Sequence, residues 1–338
     1  KYKSLKQMEG PFAKPVFDAI GETLGLNQQV LVFQNRRGYS PFLTCMSCGW
    51  TEPCADCDVA VTYHKKTKSL KCHYCGQSRE LSNHCPSCQK SAWQLRGIGT
   101  ERIEENLESM FPEAHIIRVD SDTTRKKKSM SHFIDWLETG KVDIVVGTQM
   151  IGKGLDISGL SLAVIVNADN ALQMPDFRAH ERAFQLFTQV AGRTGRREDK
   201  GHVIIQTATP EHPILLAVKS GKYNEMAMNL LEDRRVHHYP PFVKLIRIEL
   251  RHRKEIIVYE AANFLAQKLL DNFRGGVLGP DEPSVSRIKN MYLQHIWMKF
   301  PSGKGLTAMK DKLRKINNSL FFSSDFKSVK IIMDVDPY

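Results

Sequence analysis

Eight cysteines carry the most specific chemistry in this chain, and all of them lie between residues 45 and 88. They fall into four C-x-x-C pairs: Cys45/Cys48, Cys54/Cys57, Cys72/Cys75 and Cys85/Cys88. Two residues between cysteines let a tight turn aim both sulfurs at one metal ion, and two such turns make a tetrahedral four-thiolate site. Gly49 and Gly76 directly follow two of the pairs. Glycine tolerates the positive φ that turns backbone N–H groups toward the sulfurs. A cytosolic compartment disfavours disulfides. A redox motif needs one pair at a helix start, not four clustered pairs. The expected ligands are therefore two structural Zn²⁺ ions. Four thiolates leave no open coordination position, so the metal folds the segment and does not catalyse. Binding worth on the order of 10–16 kcal/mol per site would dominate the stability of so small a unit.

Three ways of pairing the four turns are possible, and the segment between Cys57 and Cys72 favours one. Asp58 to Tyr63 alternates apolar and polar residues as a strand does, Lys65 to Lys68 is a turn, and Ser69-Leu70-Lys71 returns. A hairpin there sets Cys54 and Cys57 beside Cys72 and Cys75, which leaves Cys45 and Cys48 to meet Cys85 and Cys88. Lys65, Lys66, Lys68 and Lys71, interleaved with Tyr63, His64 and Tyr74, suit contact with a nucleic-acid strand and base stacking. An ordinary solvated hairpin accounts for the same residues equally well.

A second set of residues could meet phosphate. Arg193 and Arg196 sit three apart in Arg193-Thr194-Gly195-Arg196, just past Gly192. Two guanidinium groups on such a turn can reach a phosphate that another domain holds, or simply cap the helix C-terminus. Gly147 to Gly154 fits the spacing G-x-x-x-x-G-K, but Gly154 stands where a phosphate loop needs the hydroxyl that ligates Mg²⁺. No DEAD/DEAH-type Mg²⁺ motif accompanies it. The chain by itself is expected not to hydrolyse ATP.

The elements that must position these groups read as an α/β unit. Val30 to Phe33 is a continuous apolar run, as in a strand buried on both faces. Further strands are expected at 115–119, 142–146, 162–166 and 203–206. Helices are expected at 15–24, 101–110, 129–138 and 178–191. The last carries the apolar stripe Ala179, Ala183, Leu186, Phe187 and Val190. Alternating strands and helices imply a mostly parallel sheet with helices on both faces. The cysteine segment is an insertion after Asn35-Arg36-Arg37-Gly38-Tyr39. A third unit begins near Val236, with strands at 246–251, near 277, at 291–300 and at 329–334. Helices at 255–272 and near 306–318 make it an α+β sandwich. The expected division is residues 1–44 with 93–235, then 45–92, then 236–338.

Composition bounds the partners. The 338 residues carry a formal charge of +11, which points to an anionic partner such as nucleic acid. Eight thiolates and two Zn²⁺ would bring the loaded chain nearer about +7. No run of 18 apolar residues is present, so no membrane span is expected. No signal-peptide pattern opens the sequence, and a cytoplasmic protein is expected. A start at Lys1 rather than Met is what a piece of a longer protein would show.

Gly147-Thr148-Gln149-Met150-Ile151-Gly152-Lys153-Gly154-Leu155-Asp156 resembles motif V of the superfamily 2 helicases. Gln189-Val190-Ala191-Gly192-Arg193-Thr194-Gly195-Arg196 resembles their motif VI. Arg182 to Gln189, Asn35-Arg36-Arg37-Gly38, Gly97-Ile98-Gly99-Thr100-Glu101, Tyr239-Pro240-Pro241-Phe242 and Val277-Leu278-Gly279-Pro280 are similar to the PriA family of replication-restart helicases. So are eight cysteines inserted in a second motor lobe. The resemblance implies a RecA-like lobe 2 that closes over ATP held, with Mg²⁺, by an earlier lobe carrying Walker A. Arg196 would be the arginine finger, supported by Arg193, and such a finger contributes roughly 10³–10⁵ in rate. Gln189, Gly192, Gly154 and Asp156 would meet the nucleotide, Asp156 at its ribose. Thr148 and Lys153 would touch the strand backbone as the lobes step 3′→5′ along single-stranded DNA. It also implies forked DNA, other primosome proteins and the acidic tail of the single-strand-binding protein SSB as partners of a monomer. Gln294 matches the family's pocket for that tail, whereas Asn290 stands where a basic residue is common, beside Lys289. The competing reading is a non-catalytic, zinc-dependent nucleic-acid-binding module.

Overall fold

The computed structural model describes residues 7–34, 42–64, 67–96, 100–119, 127–148, 160–195, 201–273, 275–301, 310–316 and 325–337. In chain order the elements open with β1 (Met8–Glu9), β2 (Phe12–Ala13), α1 (Lys14–Gly25) and β3 (Gln29–Gln34). Five short strands follow: β4 (Phe42–Cys45), β5 (Thr62–His64), β6 (Ser69–Lys71), β7 (Ser78–Glu80) and β8 (Trp93–Arg96). Next come α2 (Thr100–Met110), β9 (Ile116–Val119), α3 (Lys127–Glu138), β10 (Ile144–Gly147) and β11 (Leu160–Val166). They lead to α4 (Asp169–Leu172), α5 (Ala179–Ala191), β12 (His202–Ile205), α6 (Pro213–Ser220) and α7 (Tyr223–Val236). The last set is β13 (Val243–His252), α8 (Glu255–Asn272), β14 (Val277–Asp281), β15 (Arg287–Ile288), β16 (Met291–Pro301), a helix over 310–316 and β17 (Lys330–Val335).

The chain divides into two compact units, Lys1–Pro41 with Gly97–Leu230, and Phe42–Arg96 with Leu231–Tyr338. In the first, five strands pair in the order β12-β11-β3-β10-β9, every neighbour parallel. Their apolar runs are explained by burial on both faces. Val30, Val32, Ile144, Val146, Val164 and Val166 pack toward α1 and α2, onto Val16, Ile20, Ile103 and Leu107. Leu31, Phe33, Val145, Ala163 and Ile165 pack the other way, against Phe133 and Leu137 of α3, Phe184 and Phe187 of α5, and Ile214 of α6. Strands covered on both sides need no polar alternation.

The second unit holds three antiparallel sheets. Strands β4 and β8 pair to close the neck of the cysteine segment, with Cys45 opposite Trp93. Within the segment β5, β6 and β7 form a three-stranded sheet. The expected strand over 58–63 is shorter than the alternation suggested. Val59 is used to close a cysteine turn, Asp58 donates its N–H to the Arg287 carbonyl, and only Thr62–His64 pairs as a strand. The C-terminal sheet runs β14-β16-β13-β17, with β15 hairpinned onto β16. Helix α8 lays Val258, Ala261, Ala262, Leu265 and Leu269 on Ile246, Ile248, Leu250, Ile296 and Phe300. The contacts join residues 42–96 to the C-terminal residues, where the sequence reading kept them apart. No helix among the described residues is long and apolar enough to cross a membrane.

Candidate zinc centres

The four cysteine turns share one closure. In each, the N–H of the first cysteine donates to the carbonyl five residues on: Cys45 to Trp50 at 2.8 Å, Cys54 to Val59 at 2.9 Å, Cys72 to Gln77 at 2.9 Å and Cys85 to Lys90 at 3.0 Å. Gly49 and Gly76 take positive φ, at 76° and 86°, and donate back to the Cys45 and Cys72 carbonyls. Gln89 does the same for Cys85 at φ 59°, without glycine's freedom.

The turns meet in two clusters, Cys45, Cys48, Cys85 and Cys88 in one, Cys54, Cys57, Cys72 and Cys75 in the other. Within each cluster the sulfurs all lie within 4.8 Å of one another. Cys45 and Cys88 are 3.6 Å apart, Cys48 and Cys85 3.7 Å, and Cys54 and Cys75 3.6 Å, and all eight cysteines are free thiols. A tetrahedron with Zn–S bonds of about 2.3 Å has edges of about 3.8 Å, whereas a disulfide needs about 2.05 Å. The donor set and its spacing fit one structural zinc ion at each site.

The electrostatics of the bare thiols agree. Burial opposes ionisation of Cys45, but the N–H groups of Ser47 and Cys48 and the neighbouring thiols outweigh it and lower its pKa to about 7. Cys88 accepts from the Lys90 N–H, yet burial and its three neighbouring thiols push it up to about 11. Burial and the adjacent thiols push Cys57 up to about 12. Four thiols this close cannot all ionise alone; a dication among them removes the repulsion. Leu43, Val61 and Leu70 pack around the second cluster, with Tyr63 and Trp93 against them.

Tyr63 is partly buried and packs against the zinc segment's core, while Tyr74 is half exposed. Lys65 and Lys66 lie outside the described residues. In the α/β unit, Thr148 follows the C-terminal end of β10 and is buried. Gln189 is exposed near the end of α5. The chain then turns at Gly192 and Arg193, whose N–H groups donate to Thr188 and Val190 carbonyls at 2.9 and 3.1 Å. Thr194 bridges Leu160, and the Gly195 N–H donates to the Leu160 carbonyl at 3.3 Å. This ties the arginine turn to the start of β11. Strand starts and strand ends occupy opposite edges of a parallel sheet, so Thr148 and Arg193 are not brought to one point. Lys153, Gly154, Asp156 and Arg196 lie outside the described residues.

The sequence reading missed the residues that meet the second cluster from the C-terminal sheet. The Lys289 N–H donates to Cys57 Sγ at 3.3 Å, and the Asn290 side chain donates to Asp56 at 2.8 Å. Lys289-Asn290 lacks the glycine that marks a two-residue turn between strands, and its docking surface is more than 200 residues away.

Three family models match this chain. They are the helicase conserved C-terminal domain over residues 94–198, the PriA DNA helicase Cys-rich region over 54–79 and the primosomal protein N C-terminal domain over 235–338. Replication restart protein PriA of Bacillus subtilis is 37% identical over 329 residues, covering 97% of this chain and 40% of that protein. That of Synechocystis is 37% identical over 333 residues, covering 96% and 39%. That of Haemophilus influenzae is 33% identical over 336 residues, covering 98% and 45%. The chain thus spans less than half the length of these relatives. With all three models matched and identity running across nearly its whole length, the chain belongs to the PriA family of replication restart proteins.

Proposed function

We propose that this chain is part of an ATP-dependent 3′→5′ DNA helicase that binds stalled or repaired replication forks and starts primosome assembly. The observation that carries the reading is the 37% identity to a replication restart protein over 97% of the chain. The parallel sheet serves as motor lobe 2 and contributes Arg196 and Arg193 to the γ-phosphate of ATP held on another lobe. Gln189, Gly192, Gly154 and Asp156 meet the nucleotide from the same side. Thr148 and Lys153 contact the DNA backbone, and the lysines of the zinc hairpin meet the unwound strand. A shallow cleft of about 420 Å³ lined by Arg253, Arg287, Lys289, Asn290 and Tyr292 has the charge to take an acidic peptide tail such as that of SSB. The protein works as a monomer in the cytoplasm.

The test is ATP hydrolysis with forked DNA, for this chain alone and for the chain joined to its family's upstream lobe. Silence alone and turnover when joined are expected. Arg196→Ala in the joined protein should then lower turnover by about 10³-fold or more. Turnover by the chain alone would overturn the split site. Silence in both would favour a zinc-dependent nucleic-acid-binding module.

A further inference from the structure

Three of the four cysteine turns close on themselves, through Gly49, Gly76 or Gln89 donating to the first cysteine's carbonyl. In the turn of Cys54 and Cys57 that position is Asp58. Its N–H donates instead to the Arg287 carbonyl, at 3.0 Å. Arg287 opens a tight hairpin between β15 and β16, whose two central residues, Lys289 and Asn290, both take left-handed φ, at 53° and 58°. That hairpin grips the cysteine turn at Asp56, Cys57 and Asp58. Ser286 Oγ donates to Asp58 Oδ2 at 2.7 Å, and Arg287 Nε to Asp58 Oδ1 at 3.0 Å. The Asn290 N–H and Nδ2 donate to the carbonyl and side chain of Asp56, each at 2.8 Å. Ile288 packs against the cluster that contains Cys54, Cys57 and Cys72.

The contact reaches the metal-binding atoms themselves. Lys289 donates its N–H to Cys57 Sγ at 3.3 Å. Backbone donors to Cys45, Cys72 and Cys88 come from their own turns: Ser47 and Cys48, Tyr74 and Cys75, and Lys90. A donor to a ligating sulfur stabilises the thiolate and fixes its direction. The two sites also differ in cover, because Cys48 of the first is exposed and no cysteine of the second is.

We propose that the Ser286–Asn290 turn is an outer part of the second zinc site, and that it makes the zinc on Cys54, Cys57, Cys72 and Cys75 leave more slowly than the zinc on Cys45, Cys48, Cys85 and Cys88. The proposal rests on both sites holding zinc and not on the motor reading. A metal count on the wild-type chain checks that premise separately.

The experiment times zinc release from the 338-residue chain into an excess of a chromogenic chelator. Wild type should show two phases of one zinc each, and Cys48→Ser should retain only the slow one. Asn290→Gly keeps the left-handed backbone and the N–H bond to the Asp56 carbonyl but removes the side-chain bond to Asp56; Arg287→Gln removes the ion pair with Asp58. Together they should speed the slow phase by about tenfold or more and leave the fast phase unchanged. Hydrogen exchange at 286–290 should rise only when the slow zinc leaves. A single phase in wild type, or a double variant that alters neither phase or both equally, would overturn the proposal. A count of fewer than two zincs would remove its premise along with the zinc reading.

Discussion

Glu249 shows how a single carboxylate can be held charged in a nearly buried position. His295 Nε2 lies 3.1 Å from one carboxylate oxygen and Arg251 Nε 2.6 Å from the other. The His295 hydrogen bond, against the opposing effect of burial and with help from Arg251, lowers the Glu249 pKa to about 2. A carboxyl whose folded pKa is depressed contributes stability above its ordinary value, here 4.5, and loses it only as pH falls toward about 2. Zinc thiolates take up protons as pH falls and release their metal. Acid unfolding of this unit should therefore begin at the cysteines, before Glu249 titrates. Glu249→Gln should cost about 2 kcal/mol. Urea melts of the two proteins at one fixed neutral pH should show that difference, and equal midpoints would contradict the assignment. The pairing of Glu249 with His295 is invisible in sequence order, since the two stand opposite each other only in the β13–β16 register.

Among the elements, α5 does the most to carry the motif residues. Its stripe was readable from spacing: Ala179, Ala183, Phe187 and Val190 are buried against the sheet. Phe184 is buried as well, while Leu186 is only partly covered, because the helix meets both the sheet and α6. Phe187 is fully buried, so Phe187→Ala should destabilise the α/β unit by about 3–5 kcal/mol, read as a lower urea midpoint for that unit. The same change should leave the zinc count at two. Helix α6 had its signals in plain view, Pro213 at its start and Gly221, at φ 68°, past its end. Strand β7 had none. Its residues Ser78, Arg79 and Glu80 are all exposed, and it pairs through backbone with β6 while Arg79 reaches Glu52 at 2.6 Å. A strand with no buried face leaves no alternation to read.

At the scale of the whole chain, the second unit contains both cysteine clusters and the first contains none. Chelation should therefore loosen the cysteine segment and the hairpin at 286–290, while the parallel sheet keeps its hydrogen exchange protection. Hydrogen exchange with and without chelator decides this; equal loss in both units would show that the zinc sites support the entire chain. The net charge of +11 predicts nucleic-acid affinity that falls steeply with added salt, measured as a log–log slope with a DNA fork. A slope near zero would remove phosphate contact from the account.

The amino-acid sequence by itself determined the metal chemistry, the nested pairing of the cysteine turns and the α/β order. Each depends on local spacing: two residues between sulfurs, a hairpin between turns, a period of two or of 3.6 in the apolar residues. Tertiary structure alone decided that the cysteine segment belongs with the C-terminal sheet. That grouping rests on Lys289 reaching Cys57 and on Arg287 reaching Asp58. It rests on backbone groups, on side-chain hydrogen bonds from Ser286 and Asn290 and on one ion pair, across more than 200 residues. Backbone donors are the same at every residue, so no side-chain pattern could have announced them.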